Sequence, residues 1–360
     1  MSSTDWGQPG PGFPDGGTPR NQRWPNWLKL LILLILLLSL GWVALLSVEY
    51  FRTGKTLSDL PLMPEPVANL FDRMTFQYVA SIDEVQTPMG VAVGPDGRIY
   101  VTETGGERMI HIYDSLWQEV GSFAPPDTQP TERIPVYLAI SPTGDVYVSD
   151  RGKAAIYIFS ADGDPKGQVT PPEGMEDWHP LGLAFDDAGN LYVADVTPEK
   201  HRVLVLDQEG KLKLSFGSQG EANGQFWYPN GIAIDSEGRI FVADSNNGRM
   251  QAFDKDGKFL FKISRGMSPG DLSMPRGIAI DSENRLLIAD TSRGAVQAYQ
   301  LSDSADSGSG NTAPLKFVGS FAGDPGTGTY LLFPNGMALD GQGKIYIADR
   351  ANDRVQIWKY

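Results

Sequence analysis

The chain has 360 residues, no cysteine and a formal net charge of −14. Without cysteine there is no disulfide, thiolate metal site or cysteine nucleophile, and the compartment is not legible from redox chemistry. Residues 1–74 hold six basic and six acidic side chains, so the excess of 38 acidic over 24 basic lies in residues 75–360; such a surface repels phosphate backbones and argues against a nucleic-acid partner.

Residues 1–26 are rich in Pro, Gly and polar residues, lack apolar periodicity and read as a disordered tail. Residues 27–48 read as a transmembrane helix. Leu30 to Val48 carries no charge, and at 1.5 Å per residue it spans about 28 Å, close to a bilayer's hydrocarbon thickness. Trp24, Trp27, Tyr50 and Phe51 flank it as interfacial aromatics do. The apolar run is longer than a signal-peptide core and no small-x-small site follows, which favours an uncleaved signal anchor. Arg20, Arg23 and Lys29 precede it against Arg52 and Lys55 behind it. The positive-inside rule then places the N-terminus in the cytoplasm and the rest of the chain outside it. Residues 49–73 form a juxtamembrane tether.

From residue 74 onward one phrase is written six times, beginning at Pro88, Pro135, Pro180, Pro229, Pro275 and Pro334. The clearest copy runs Pro229-Asn230-Gly231-Ile232-Ala233-Ile234, a turn Asp235-Ser236-Glu237-Gly238, and a second run from Ile240 to Asp244. A third run, Met250 to Phe253, a turn Asp254-Lys255-Asp256-Gly257, and a fourth run, Phe259 to Ile263, complete it. Four short strands per unit of roughly 45 residues describe a blade of a β-propeller. The prolines recur at steps of 47, 45, 49, 46 and 59, a regularity that a β-sandwich does not predict. The long last step comes from a Ser/Gly/Asp-rich insertion, Ser302 to Asn311, between the third and fourth strands of blade five. The sixth copy ends after its third strand at Trp358, while Met74 to Ile82 has no blade of its own. This segment is expected to supply the outer strand of blade six and close a domain of residues 74–360.

The copies resemble NHL repeats. The likeness rests on Gly217, Gly220, Gly224, Phe226, Pro229, Gly231, Asp244 and Arg249 in blade four, and on Pro334-Asn335-Gly336, Asp349, Asn352 and Arg354 in blade six. Blades two and five depart, with Ala155 and Ala295 at the arginine position, and blade three places Arg202 seven residues after Asp195. The resemblance implies an all-β, six-bladed propeller and, most often, a binding scaffold or extracytoplasmic sensor for a protein, peptide or carbohydrate. A minority of similar propellers are metal-dependent hydrolases or lyases, including lactonases, which stands as the alternative. Fold alone does not choose between them.

Glu103, Asp150, Asp195, Asp244, Asp290 and Asp349 end the second strands. Repetition marks them as architecture: each suits backbone N–H groups of its own turn, with Arg108, Arg202, Arg249 or Arg354 nearby. Residues that differ between copies are the better functional candidates. Reading one residue after each proline as the mouth of the central channel assigns Met89, Tyr137, Leu181, Asn230, Arg276 and Asn335 to it. These suit a polar ligand or a water-filled channel. A divalent cation is poorly served there, since no carboxylate is among them. His179 and His201 are weak metal candidates on one blade. Trp178, Trp227 and Tyr228 suit either an exposed contact patch with Arg276 or packing between blades, whereas Phe226 and Phe333 are expected in the core.

Overall fold

The computed structural model describes residues 74–302 and 315–360. The tail, membrane segment and tether assigned to residues 1–73, and nearly all of the insertion after Ser302, lie outside the described residues. Among the described residues no helix is long and apolar enough to cross a membrane.

Short runs of β-branched and aromatic residues form the strands, and acid–glycine turns end them. In blade four Asp235 accepts the backbone N–H groups of Glu237 and Arg239 and pairs with the Arg239 guanidinium at 2.6 Å. Gly238 supplies the left-handed residue, with φ 77°. That turn joins Pro229–Ile234 to Ile240–Asp244 as an antiparallel pair.

The strands assemble into six four-stranded antiparallel sheets. In blades one to five, chain order is spatial order. Successive first strands adjoin one another in a closed ring, so they form the inner wall. Second strands such as Ile240–Asp244 are buried throughout, whereas outer strands such as Phe259–Ile263 alternate between half-buried and exposed residues. The core lies between blades. Phe241 and Met250 of blade four, for example, pack on Leu272, Leu286, Ile288 and Tyr299 of blade five.

Blade six is built from both ends of the domain. Gln77–Asp83 pairs antiparallel with Arg354–Lys359 and supplies the outer strand. Tyr78 meets Trp358 edge-on at 5.6 Å, and Phe76 packs on Phe321 of blade five at 4.3 Å. A propeller blade has no independent core, so the last blade needs this strand to cover its edge.

Glycine sets the diameter of the ring. A Cβ at Gly182 would fall on the carbonyl oxygen of Asn230, at Gly231 on that of Arg276, and at Gly277 on that of Asn335. At Gly336 it would lie 2.5 Å from the Met89 oxygen, and at Gly90 2.7 Å from that of Val136. Five first strands thus approach the next blade more closely than any side chain allows. Hydroxyls reinforce the contact: Thr102 donates to Val136 O at 2.8 Å and Ser149 to Leu181 O at 2.6 Å.

Two outcomes test this architecture. Deleting residues 74–83 is expected to abolish the cooperative thermal transition seen by circular dichroism; a truncated chain melting like the parent would refute closure. Gly277→Val, which drives a side chain into backbone, is expected to destabilise by about 2 kcal/mol or more, read as a lowered denaturant midpoint.

Candidate binding face at the channel mouth

The carboxylate that ends each second strand ties down the loops of one face. Asp244 accepts the Trp227 N–H at 2.6 Å through one oxygen, and Asn247, the Arg249 guanidinium (2.7 Å) and Gln251 through the other. Asp349 does the same with Leu332 N–H, Asn352, Arg354 and Gln356. Asp195 pairs with Arg202 at 2.9 Å despite the longer spacing. In blade five Ala295 stands at the arginine position, and Arg293 reaches Asp290 instead, at 3.3 Å. Blade one corrects the expected Glu103–Arg108 pair: Arg108 donates to the Arg133 carbonyl, and Glu103 takes the Gln86 N–H and His111. In blade two Ala155 stands at the arginine position, and Asp150 Oδ2 is buried without a partner. Elsewhere the ring is architectural, its acceptors filled by the loops it holds.

The mouth itself departs from the sequence alignment at one position. The residue after Pro135 is Val136, and Tyr137 stands where the other five copies have glycine. The pairing of this first strand resumes one residue early, at Tyr137↔Ser149. The Tyr137 side chain crosses the channel: its hydroxyl donates to Asn335 Oδ1 at 2.8 Å and lies 3.3 Å from Asn230 Oδ1. Blades two, four and six are thus joined at the axis by one phenol. Burial pushes its pKa up to about 12 against the lowering influence of Arg276 and Arg350, so it is a neutral donor.

The mouth has two unlike halves. Blades one to three contribute Met89, Val136, Leu181 and Val196, packed with Tyr137. Blades four to six contribute Asn230, Arg276 and Asn335. The other end of the channel is acidic: Asp186, Asp187, Asp235 and Asp281 line a cavity of about 320 Å³ there.

The loops around the mouth carry exposed aromatics, but not all those expected. Trp178 is only 2% exposed and packs in the core with Leu183, Leu191 and Leu204, so it leaves the proposed patch. Phe333 is corrected in the other direction. Its neighbour Leu331 takes the buried place that Phe226 holds in blade four, and Phe333, 50% exposed, is the counterpart of Tyr228. Trp227 and Tyr228 are 43% and 36% exposed. Tyr228 and Phe333 both have left-handed backbones, φ 58° and 53°, a conformation costing a bulky residue roughly 1–2 kcal/mol.

The two histidines have separate duties. Buried His201 accepts the Tyr228 N–H at 3.3 Å through Nδ1 and meets the Tyr228 ring edge-on at 5.1 Å. Burial lowers its pKa, keeping it neutral. His179 Nδ1 donates to the Asp177 carbonyl at 2.9 Å. Among the described residues no group of three or more acidic or histidine side chains is placed to hold a metal ion.

Arg350 was not among the residues singled out from the sequence. It follows Asp349 as Ser245 follows Asp244, and Ser245 Oγ contacts Asn230 Nδ2 at 2.7 Å. Comparing the residue after each second-strand acid would have pointed to it.

Fold and repeats together define the class: a six-bladed β-propeller with an all-β domain. The profile of the NHL repeat matches three of its segments, residues 226–253, 272–299 and 331–358. No curated protein sequence matches the chain significantly. Among solved structures it is similar to a streptogramin B lyase, at 16% identity and TM-score 0.52, over 79% of this chain and 97% of that one. It is also similar to the PQQ-bound aldose sugar dehydrogenase of Streptomyces coelicolor (16% identity, TM-score 0.55, 79% and 98% coverage). A nidogen/laminin complex matches at 18% identity and TM-score 0.52, over 71% of this chain and 85% of that one. At such identities the likeness is one of fold.

Two measurements probe the mouth. Tyr137→Phe leaves two buried amide oxygens without their shared donor and is expected to cost about 1–3 kcal/mol, read from denaturant unfolding. His201 has a folded pKa below its ordinary 6.5, so the unfolded chain binds more protons as pH falls. Its contribution is present in full above about pH 6.5 and is lost as pH drops toward the folded pKa. His201→Gln is expected to flatten stability between pH 7 and 5; an unchanged profile would refute the assignment.

Proposed function

We propose that the chain is a membrane-anchored NHL propeller whose mouth face is an extracytoplasmic docking surface for a protein, peptide or carbohydrate ligand. The observation that carries this is two pairs of exposed apolar side chains, Trp227 and Tyr228 on the loop entering blade four and Leu332 and Phe333 on the loop entering blade six, with Tyr228 and Phe333 held in left-handed conformations. Exposed aromatic side chains of this kind make interaction hot spots, and strained backbone is retained where it serves a site. The apolar run of residues 30–48 supports the anchor, and the excess of Arg and Lys before it supports an N-terminus in the cytoplasm.

The nidogen/laminin neighbour, a complex of proteins, accords with a docking role. The alternative, a metal-dependent hydrolase or lyase at the mouth, would draw on the lyase likeness. It needs ligating oxygens or imidazoles there. The six positions following the prolines supply two amides, one guanidinium and three apolar side chains instead.

The reading has two tests. A periplasmic-type alkaline phosphatase reporter fused after Tyr360 is expected to be active, and activity only from a cytoplasmic reporter would reverse the orientation. Partner capture by the immobilised full chain is expected to fall at least about tenfold in a Trp227→Ala/Phe333→Ala variant, because hot-spot aromatics each carry about 2 kcal/mol or more. Undiminished capture would move the docking surface elsewhere.

A further inference from the structure

The outer strand of blade two leaves its seam with blade three open. In blade three Leu214 stands opposite Val205, and in blade four Phe261 stands opposite Ala252. Both side chains pack into the seam with the next blade. In blade two the residue at this position, opposite Ile158, is Gly167. A Cβ added there would meet no atom within 4 Å.

Two adjoining cavities of about 210 and 250 Å³ lie in this seam. Tyr147 and Phe185, edge-on at 4.9 Å, line both, and Ile158, Leu191 and Leu206 line the first. An apolar cavity of about 150 Å³ already holds a benzene ring, so the first has room for one bulky apolar side chain. The rim is acidic: Asp187, Asp207 and Glu209 line the cavities, and no Lys or Arg does. Asp207 caps its own turn, which leaves Asp187 and Glu209 as exposed charge. Lys166, on the same outer strand as Gly167, is committed to Asp145 at 2.7 Å.

The chain shows how a seam of this kind is filled. Blade five has the same glycine, Gly319 opposite Ala298. An extended stretch of the chain lies along its outer strand. Met74 donates its N–H to Val318 O at 3.0 Å. The Phe76 ring comes within 3.5 Å of where a Gly319 Cβ would stand and packs on Phe321 at 4.3 Å. One aromatic side chain on an extended backbone thus occupies the place that glycine leaves. Among the described residues no segment covers Gly167 in this way.

We propose that the groove between blades two and three is a second interaction surface, which takes an extended peptide segment of a partner protein. A bulky aromatic or aliphatic side chain would sit on Tyr147, Ile158 and Phe185. Residues two apart on an extended chain share a face, so Lys or Arg two positions to either side would meet Asp187 and Glu209. The apolar floor supplies affinity and the uncompensated acidic rim selects the charge of the partner. The groove lies among the turns that follow first and third strands, at the opposite end of the blades from the mouth, so it is independent of the docking face proposed above.

The test uses the full-length chain in nanodiscs and isothermal titration with three end-blocked peptides: Lys-Ala-Phe-Ala-Lys, Lys-Ala-Ala-Ala-Lys and Glu-Ala-Phe-Ala-Glu. The first is expected to bind, and the other two to bind at least about tenfold more weakly, one for want of the buried ring and the other through like-charge repulsion. Glu209→Lys is expected to weaken the first peptide about tenfold at an unchanged melting temperature and to strengthen Glu-Ala-Phe-Ala-Glu, a reversal that a merely structural role for Glu209 would not produce. Trp227→Ala/Phe333→Ala is expected to leave all three affinities unchanged. No binding of the first peptide, or equal binding of all three, would overturn the proposal. Equal binding of the two Phe peptides would make the groove a site for neutral apolar ligands and would refute the basic partner. Loss of binding in Trp227→Ala/Phe333→Ala would move the peptide to the mouth face. A dimer of the chain that Glu209→Lys dissociates would assign the groove to a second copy, which also refutes it.

Discussion

The propeller depends on backbone packed directly against backbone around its axis. Glycine two residues after the proline lets each of five first strands press against a carbonyl oxygen of its neighbour. That contact sets how near the strands come to the axis, and everything central follows from it. The channel is narrow enough for a single tyrosine to cross. Where Tyr137 replaces glycine, the side chain enters the space that the other five blades leave, and its hydroxyl finds amides on two other blades. The exception to the repeat is therefore what fills the centre of the repeat.

The second strands supply a complementary constraint. Their terminal carboxylates are buried and would be costly without partners. Loop N–H groups and, in blades three to six, a following arginine partner them, and in doing so the carboxylates fix the loops of one face. The arginine arrives by several routes: five residues on in blades four and six, seven in blade three, three in blade five. The chemistry is held constant while the spacing varies. These arginines are consumed by architecture rather than left as available charge.

Much of this was legible in the sequence. Strand runs, acid–glycine turns and the orphan strand at the N-terminal end of the domain follow from periodicity and turn chemistry, which are local. The errors have a common origin. The places of Tyr137 and Phe333 were each misjudged by which position of the repeat they occupy, and two copies that look alike in composition can differ by one or two positions in register. Trp178 was grouped with Trp227 and Tyr228 as a patch residue on its residue type, whereas it turns into the interface between blades two and three, where Ile156 and Leu183 lie beside it. Burial of one side chain depends on what the next blade presents to it, and no local pattern encodes that.

The sequence by itself determined the class of fold, the number of blades and the way the ring closes, because hydrogen-bonded strands and turns depend on residues close together in the chain. Only the tertiary structure decided the character of the mouth. Tyr137, Asn230 and Asn335 are separated by as many as 198 residues, and the contact of one phenol with two distant amides becomes visible only when the blades have been placed in space.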